Sequence, residues 1–331
     1  MKKVRVAIAG ASGYAGAELV RLAALHPHFD LHAVTSEKSA GAAVGTVFPS
    51  LAGLVSLSFQ ALSPEALAEQ ADAVFLALPH TKSLEPVSAC IKTGKLVVDL
   101  SADYRLTDPA VYEQWYKTPH TYPGLLKDAV YGLPELHRAA IAKAKLVASP
   151  GCYPTAAILQ LAPLFAQGLV QPHTVVIDAK SGISGAGRSP ALPYHFPEAH
   201  ESIEPYKLGG HRHIPEIEQE LGRLLQRTSQ PSGKTATEPI VTFTPHLVPM
   251  NRGILSTAYC KLKSPMSLPD LRAMYRDFYK GERFVRFQEE TIPNPRYIKG
   301  SNYCDIGIYL DLRSGSVITV AALDNLVKGA A

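Results

Sequence analysis

Cys152 is the residue whose surroundings point most directly to chemistry. The run Ser149-Pro150-Gly151-Cys152-Tyr153-Pro154-Thr155 follows a short apolar stretch, 146–148, and precedes a helical pattern over 155–165, so the thiol falls at or just before a helix N-terminus. Unpaired backbone N–H groups and the helix dipole at such a place stabilise a thiolate and raise the nucleophilic fraction at neutral pH. Proline and glycine on both sides indicate a closely held backbone. A buried cysteine that only fits a turn is the plainer alternative. Cys90, Cys260 and Cys304 read as inert core thiols, and none of the four cysteines forms a C-x-x-C pair, so a zinc site or disulfide scaffold is not expected and a reducing cytoplasm fits best.

A base for that thiol is offered by Gly209-Gly210-His211-Arg212-His213-Ile214-Pro215-Glu216, on the loop entering the helical pattern 217–225. An imidazole suits both the removal of the Cys152 proton and its return to an alkoxide. Glu216, three residues after His213, is placed to orient it, which favours His213 over His211 as the acid/base. As metal ligands the two histidines lack third and fourth partners at the usual spacing, so no metal is expected. Arginine's planar fork suits a carboxylate or an acyl phosphate. Three arginines are candidates: Arg105 after the strand-like 96–100, Arg188 after Ser181-Gly182-Ile183-Ser184-Gly185-Ala186-Gly187, and Arg252 in Pro249-Met250-Asn251-Arg252-Gly253.

A different chemistry is written at the start of the chain. The strand-like 4–9 runs into Gly10-Ala11-Ser12-Gly13-Tyr14-Ala15-Gly16 and on into a helical pattern over 15–25. Glycines in a strand-to-helix turn let backbone N–H groups approach a pyrophosphate, which then rests on the helix N-terminus. The spacing G-x-x-G-x-x-G departs from G-x-G-x-x-G, and a turn without a ligand is the alternative; the flanking elements favour the dinucleotide. The second strand, 31–35, ends in Thr35-Ser36-Glu37-Lys38-Ser39. Ser36, Lys38 and Ser39 suit a 2′-phosphate, and Glu37 falls past the strand end beside a lysine, so NADP(H) is favoured with NAD left open. Ser181 and Gly182, at a later strand end, can also reach a cofactor. A thiol working with a nicotinamide makes sense for interconverting an acyl group and an aldehyde through a thioester or thiohemiacetal. A simple alcohol dehydrogenase would not need the cysteine.

These residues need a scaffold of some size, and 331 residues suggest about two domains. From 1 to 150, strand-like runs at 4–9, 31–35, 73–78, 96–100 and 146–148 alternate with helical stretches such as 84–91. That rhythm predicts an α/β, Rossmann-type doubly wound parallel sheet. Residues 151–322 carry longer strand-like runs at 174–179, 240–243, 254–262, 304–312 and 317–323, which predict an α+β catalytic and oligomerisation domain with a mixed or antiparallel sheet. Residues 323–331 are expected to form a short helix returning to the first domain. The polar run from Arg227 to Thr237 reads as a surface loop. At 46% apolar and 19% charged residues the chain is no disordered polymer, and a net charge of +4 argues against a nucleic-acid or membrane partner.

Several of these motifs occur together in one family. Gly10-x-x-Gly13-Tyr14-x-Gly16, Leu78-Pro79-His80, Asp99-Leu100-Ser101-Ala102-Asp103-Tyr104-Arg105, Pro150-Gly151-Cys152-Tyr153-Pro154-Thr155, Gly210-His211-Arg212-His213-x-Pro215-Glu216 and Asp324-Asn325-Leu326-Val327-Lys328-Gly329 make the chain resemble the N-acetyl-gamma-glutamyl-phosphate reductases over nearly its whole length. The resemblance implies NADPH-dependent reduction of an acyl phosphate to N-acetyl-L-glutamate 5-semialdehyde in arginine biosynthesis. It further implies Cys152 as acyl carrier, Leu78, Pro79 and Asn325 beside the cofactor, and a homo-oligomer, dimer or tetramer. Aspartate-semialdehyde dehydrogenase is the nearest rival, although that family favours an Asn-Cys pattern where this chain has Gly151-Cys152. A relative acting on carrier-linked aminoadipate, a non-catalytic nucleotide sensor and a cysteine hydrolase are the remaining readings.

Overall fold

The computed structural model describes residues 2–228 and 238–331. The chain divides into two compact units, one running through Gly151 and taking back Ala330–Ala331, the other Cys152–Gly329.

The first unit comprises β1 (Val4–Ala9), α1 (Tyr14–Leu25), β2 (Phe29–Val34), α2 (Val44–Val47), α3 (Pro64–Glu69), β3 (Ala73–Leu76), α4 (Leu84–Lys92), β4 (Leu96–Asp99), α5 (Pro109–Tyr116), β5 (Ala129–Tyr131), α6 (Pro134–Ile141) and β6 (Leu146–Ala148). Its six strands are all parallel, in the order β2-β1-β3-β4-β6-β5. Side chains alternate along β1, so Ala7 and Ala9 enter one buried cluster with Leu76 and Val97, while Val6 and Ile8 enter another with Leu19 and Val34. Burial on both faces explains why these strands read as continuous apolar runs. Chain order reverses between β1 and β3, and ligands of such sheets bind at that point, outside the carboxyl ends of the strands.

Three strand boundaries differ from expectation. β2 spans Phe29–Val34 rather than 31–35, because Val4 at the start of β1 pairs with Phe29. β3 stops at Leu76, and β4 at Asp99, whose carboxylate turns the chain by accepting from Ser101 N at 3.0 Å and Ser101 Oγ at 2.6 Å. Helices α3 and α5, which the sequence-based expectations do not include, are capped by Ser63 and Asp108 ahead of Pro64 and Pro109.

The second unit contains α7 (Cys152–Ala166), β7 (Val175–Gly182), α8 (Phe196–Ala199), β8 (Glu204–Pro205), α9 (Ile214–Thr228), β9 (Val241–Val248), β10 (Ile254–Lys261), α10 (Leu268–Phe278), β11 (Val285–Phe287), β12 (Cys304–Asp311) and β13 (Ser316–Leu323). The sheet is mixed, in the order β11-β12-β13-β10-β7-β9-β8. Parallel pairing occurs at β11 with β12 and at β7 with β9. Every residue of α7 from Tyr153 to Phe165 is buried, as a helix apolar all round must be. Gln160 Nε2 donates to Ser256 Oγ at 2.8 Å, Tyr275 OH donates to Gln160 O at 2.6 Å, and Tyr279 OH donates to Leu159 O.

Expectation and structure part at several places here, among them the end of β7 at Gly182 rather than 179. α7 begins at Cys152, three residues early, because Pro154 is tolerated in a first turn where its missing N–H costs nothing. β9 continues past 243 to Val248, carrying Pro245 within it, and the short β8 meets it over only two residue pairs. Arg227 and Thr228 belong to α9, and the rest of that polar run, 229–237, lies outside the described residues. The expected C-terminal helix is absent among the described residues: 325–330 are successive turns. There the Asp324 carboxylate takes the amides of Leu326 and Val327, and Gly329 N closes back on Asp324 O at 2.9 Å.

Candidate active site

In the first unit the glycine turn is built around contacts that only glycine permits. Gly10 has φ +72°, and a β-carbon on it would lie 2.4 Å from Ala77 O, so β1 and the chain leaving β3 close on each other there. A β-carbon on Gly16 would lie 2.5 Å from Gly10 O. Gly13 precedes Tyr14 and Ala15 at the start of α1 in an extended conformation, has no side chain of its own to cap the first amides, and is followed by no acid in the first turn. That leaves the end of the helix suited to an anion. Ser12 Oγ and Ser36 Oγ are 2.7 Å apart, and Ser36 Oγ also accepts from Ser39 N at 3.2 Å, so the turn and the end of β2 form one polar edge. Glu37 and Lys38 are exposed beside it. The spacing of glycines, the open helix start and the serines fit a dinucleotide.

The stretch from Asp99 to Arg105 works as internal scaffolding. Thr81 is held at φ +68°, a strained value for a β-branched residue. Asp103 holds it, accepting from Thr81 N at 2.7 Å, Ser83 N at 2.9 Å and Tyr112 OH at 2.9 Å. His80 Nδ1 accepts from Ala102 N at 3.0 Å, so its ring carries its proton on Nε2. The loop of Leu78 and Pro79 is thereby tied to the end of β4. Arg105 is 5% exposed and donates to Ser149 O and Leu100 O, both at 2.7 Å. It grips the main chain just ahead of Cys152, a role that its position after a strand end did not suggest.

Burial raises the Asp99 carboxyl to about 6, against the opposing effect of its Ser101 hydrogen bonds. A carboxyl with a folded value above its unfolded one adds stability that is complete below the unfolded value of 3.8 and lost as pH rises through about 6. Urea unfolding is therefore expected to show stability falling by about 2 kcal/mol from this group between pH 4 and pH 7. An Asp99→Asn variant should lack that slope.

In the second unit the thiol stands at the first residue of α7. Cys152 is half-buried while the other three free cysteines are buried, and burial pushes Cys90 up to about 11 and Cys260 up to about 12. Tyr153 OH donates to His246 O at 3.1 Å, and Tyr206 OH donates to Tyr153 OH at 3.2 Å. Burial raises both phenols, and the nearby Cys152 adds to it. The Tyr153 ring meets those of His211, His213 and Phe243 edge-on, at 5.8, 6.0 and 5.4 Å. Residues on the loop before α9 thus come to the residue beside the thiol.

The two histidines differ. His211 is 7% exposed, and its Nδ1 accepts from His213 N at 3.2 Å. Burial, helped by Lys207 and Arg212, lowers His211 to about 3 and keeps it neutral. His213 is more accessible, immediately ahead of α9, whose first turn holds the buried Glu216. Lys207, at φ +48°, and Arg212 are cations beside this pair that sequence reasoning missed. No composition or spacing signal marks Lys207, while Arg212 stands inside the His211-Arg212-His213 motif.

A third group of loops gathers Ser181, Gly182, Ser184, Arg252 and Asn325. A β-carbon on Gly182 would lie 2.7 Å from Asn251 O, which makes glycine obligatory there. Ser181 is buried, with its hydroxyl on Gly182 O at 3.0 Å. Asn325 Oδ1 accepts from Gly253 N at 2.7 Å, and its Nδ2 donates to Ser184 Oγ at 3.0 Å. The Asn325 amide therefore ties loops together. Arg252 donates to the fully buried Asp324 at 3.0 Å. Arg188 is exposed on the loop after Gly187. Among the described residues no group of three or more His, Cys, Asp or Glu is placed to hold a metal, and no helix is long and apolar enough to cross a membrane.

Comparison with known proteins agrees with this division. Residues 5–144 match the family model "Semialdehyde dehydrogenase, NAD binding domain", and residues 152–325 match "Semialdehyde dehydrogenase, dimerisation domain". The fold is shared with aspartate semialdehyde dehydrogenase II of Vibrio cholerae complexed with ASA, at TM-score 0.72 and 16% identity over 100% of this chain and 95% of that one. The NADP-bound aspartate semialdehyde dehydrogenase of Candida albicans aligns at TM-score 0.70 and 16% identity, over 99% and 95%. Two domains of this kind in this order are the make-up of the semialdehyde dehydrogenase class. Within it, the N-acetyl-gamma-glutamyl-phosphate reductases of Geotalea daltonii and Syntrophobacter fumaroxidans are 52% and 51% identical to this chain, each over 99% of it and 92% of their own length. The chain belongs to the N-acetyl-gamma-glutamyl-phosphate reductase family.

Proposed function

We propose that the protein reduces N-acetyl-gamma-glutamyl phosphate to N-acetyl-L-glutamate 5-semialdehyde with NADPH, releasing phosphate, as a cytoplasmic enzyme of arginine biosynthesis. The observation that carries this reading is Cys152: a half-buried thiol at the first residue of a buried helix, next to a tyrosine on which the His211 and His213 rings pack. His213 takes the thiol proton, and the thiolate attacks the acyl carbon. The acyl–oxygen bond breaks, phosphate leaves with the electron pair, and a thioester remains on Cys152. When bound, the nicotinamide supplies the two electrons and hydrogen that turn the thioester carbon into an aldehyde carbon. Protonated His213 steadies the oxyanion and returns its proton to sulfur as the C–S bond breaks. His211 stays neutral and holds the His213 backbone.

Gly10, Ser12, Gly13, Tyr14, Ala15 and Gly16 would hold the pyrophosphate, and Ser36, Lys38 and Ser39 the 2′-phosphate. Lys207, Arg212 and Arg252 are the cations this reading assigns to the substrate's phosphate and carboxylate. Arg105 serves by positioning the chain before Cys152, and Arg188 is an outer contact. Four free cysteines suit a reducing cytoplasm.

The protein is further read as a homo-oligomer. One face of the seven-stranded sheet carries α7, while the other presents Val176, Thr242, Thr257, Tyr259 and Ile318 partly open to solvent. Such a mixed, β-branched and aromatic face suits a second copy. Sedimentation should give at least twice the mass of one chain.

The reverse reaction tests the activity. N-acetylglutamate semialdehyde, NADP and inorganic phosphate should yield NADPH only when all three are present, with aspartate semialdehyde inert in a parallel assay. Activity on aspartate semialdehyde alone would move the reading to the rival dehydrogenase. Gly10→Ala, which forces a methyl onto Ala77 O, is expected to weaken NADPH binding by more than about tenfold. It should leave the alkylation rate of Cys152 unchanged, as fluorescence titration and iodoacetamide labelling would read.

A further inference from the structure

We infer that Gly329 is a positioning residue for Cys152, and that the turn from Asp324 to Gly329 is the backstop that aims the thiol. This rests on the reading of Cys152 as the nucleophile. A β-carbon built on Gly329 would lie 2.9 Å from Cys152 Cβ, 2.8 Å from Asn325 O and 3.0 Å from Asn325 Cα. Gly329 is not among the glycines with positive φ, so alanine would meet no backbone strain there. The requirement is purely for space. A cysteine's Cβ is fixed by its backbone, so pressure on it cannot be relieved by swinging a side chain. Either the start of α7 or the turn must move.

Both sides are built not to move. On the helix side, Tyr153, Gln160 and Leu159 are tied by hydrogen bonds to His246, Ser256, Tyr275 and Tyr279. On the turn side, the buried Asp324 carboxylate accepts from Arg252 at 3.0 Å, Gly300 N at 2.7 Å, Leu326 N at 2.9 Å and Val327 N at 3.1 Å. Gly329 N donates to Asp324 O at 2.9 Å, and Asn325 adds its bond from Gly253 N at 2.7 Å. A turn so tied, lying against the carbon that bears the sulfur, fixes where that sulfur can go. Reaction geometry is sensitive on this scale, since a misplacement of about 1 Å can cost about a hundredfold in rate.

The test is Gly329→Ala, with Gly124→Ala as control because a β-carbon on Gly124 has no atom within 4 Å. Turnover, NADPH affinity, thermal unfolding and the pH profile of iodoacetamide alkylation at Cys152 are measured together, with Cys152→Ser alongside. Gly329→Ala should lower kcat by about 30–100-fold, change the alkylation profile and lower the melting temperature by a few degrees, with NADPH affinity near that of the unaltered protein. If that variant fails to fold, Val327→Ala, which thins the turn without adding bulk, should lower kcat by about threefold to tenfold with the same altered profile. An inactive Cys152→Ser combined with unchanged turnover and alkylation in Gly329→Ala would overturn the inference alone. So would a loss confined to NADPH affinity, which would place the effect on Asn325. An active Cys152→Ser would instead remove the reading on which the inference stands.

Discussion

Cys152→Ser is expected to lose at least about a thousandfold in turnover while binding NADPH as the unaltered protein does. A serine hydroxyl keeps the shape of the side chain but ionises far less readily, and the helix start that favours a thiolate cannot make an alkoxide at neutral pH. The residues proposed for the pyrophosphate and the 2′-phosphate lie in the first unit, on the glycine turn and at the end of β2, whereas Cys152 opens the second. Turnover and NADPH affinity should therefore separate. Steady-state kinetics with fluorescence titration would check this, and mass spectrometry of the unaltered protein mixed with acyl phosphate in the absence of NADPH should find the acyl group on Cys152. Retained turnover in Cys152→Ser would mean that the reaction does not pass through the thiol.

The second large effect separates the histidines. His213→Gln is expected to lower kcat by about a hundredfold to ten-thousandfold and to flatten the acid limb of the pH–rate profile, as loss of a general acid/base does. His211→Phe should keep a pH profile of unaltered shape, because His211 is neutral throughout the working range and its Nδ1 is spent on the His213 backbone. Its signature lies in stability. Burial holds His211 at about 3 in the folded state against 6.5 ordinarily, so its neutral form adds stability above 6.5 that is lost as pH falls towards 3. Acid unfolding of the unaltered protein should include that step, and His211→Phe should lack it. The opposite pattern, a changed rate profile in His211→Phe alone, would exchange the two roles.

Much of the fold was legible because its signals are local. Strand, glycine turn and helix follow one another within the first 25 residues, and both strand faces announced their burial by unbroken apolar runs. Cys152 at a helix start was readable from Pro150, Gly151 and Pro154, although the helix began earlier than its apolar period suggested. The C-terminal segment follows turns in place of the expected helix, with Gly329 N closing back on Asp324 O, five residues earlier, where a helix would use the residue four earlier. Arg105 was legible as a cation after a strand end, whereas its bonds to the Ser149 and Leu100 carbonyls follow no spacing rule.

What the sequence by itself determined is the set of chemical parts: a thiol at a helix start, a glycine turn ready for a pyrophosphate, and an imidazole loop. These depend on hydrogen bonds and dihedral preferences between near neighbours, which residue types express directly. Only the tertiary structure decided which parts meet. Asp103 reaching Thr81 and Tyr112, His211 made neutral by burial among Tyr153, Tyr206 and Phe243, and Gly329 pressed against Cys152 all join residues brought together by packing. A glycine needed for close approach looks the same in a sequence as one needed for nothing, because the atom it makes room for belongs to another part of the chain.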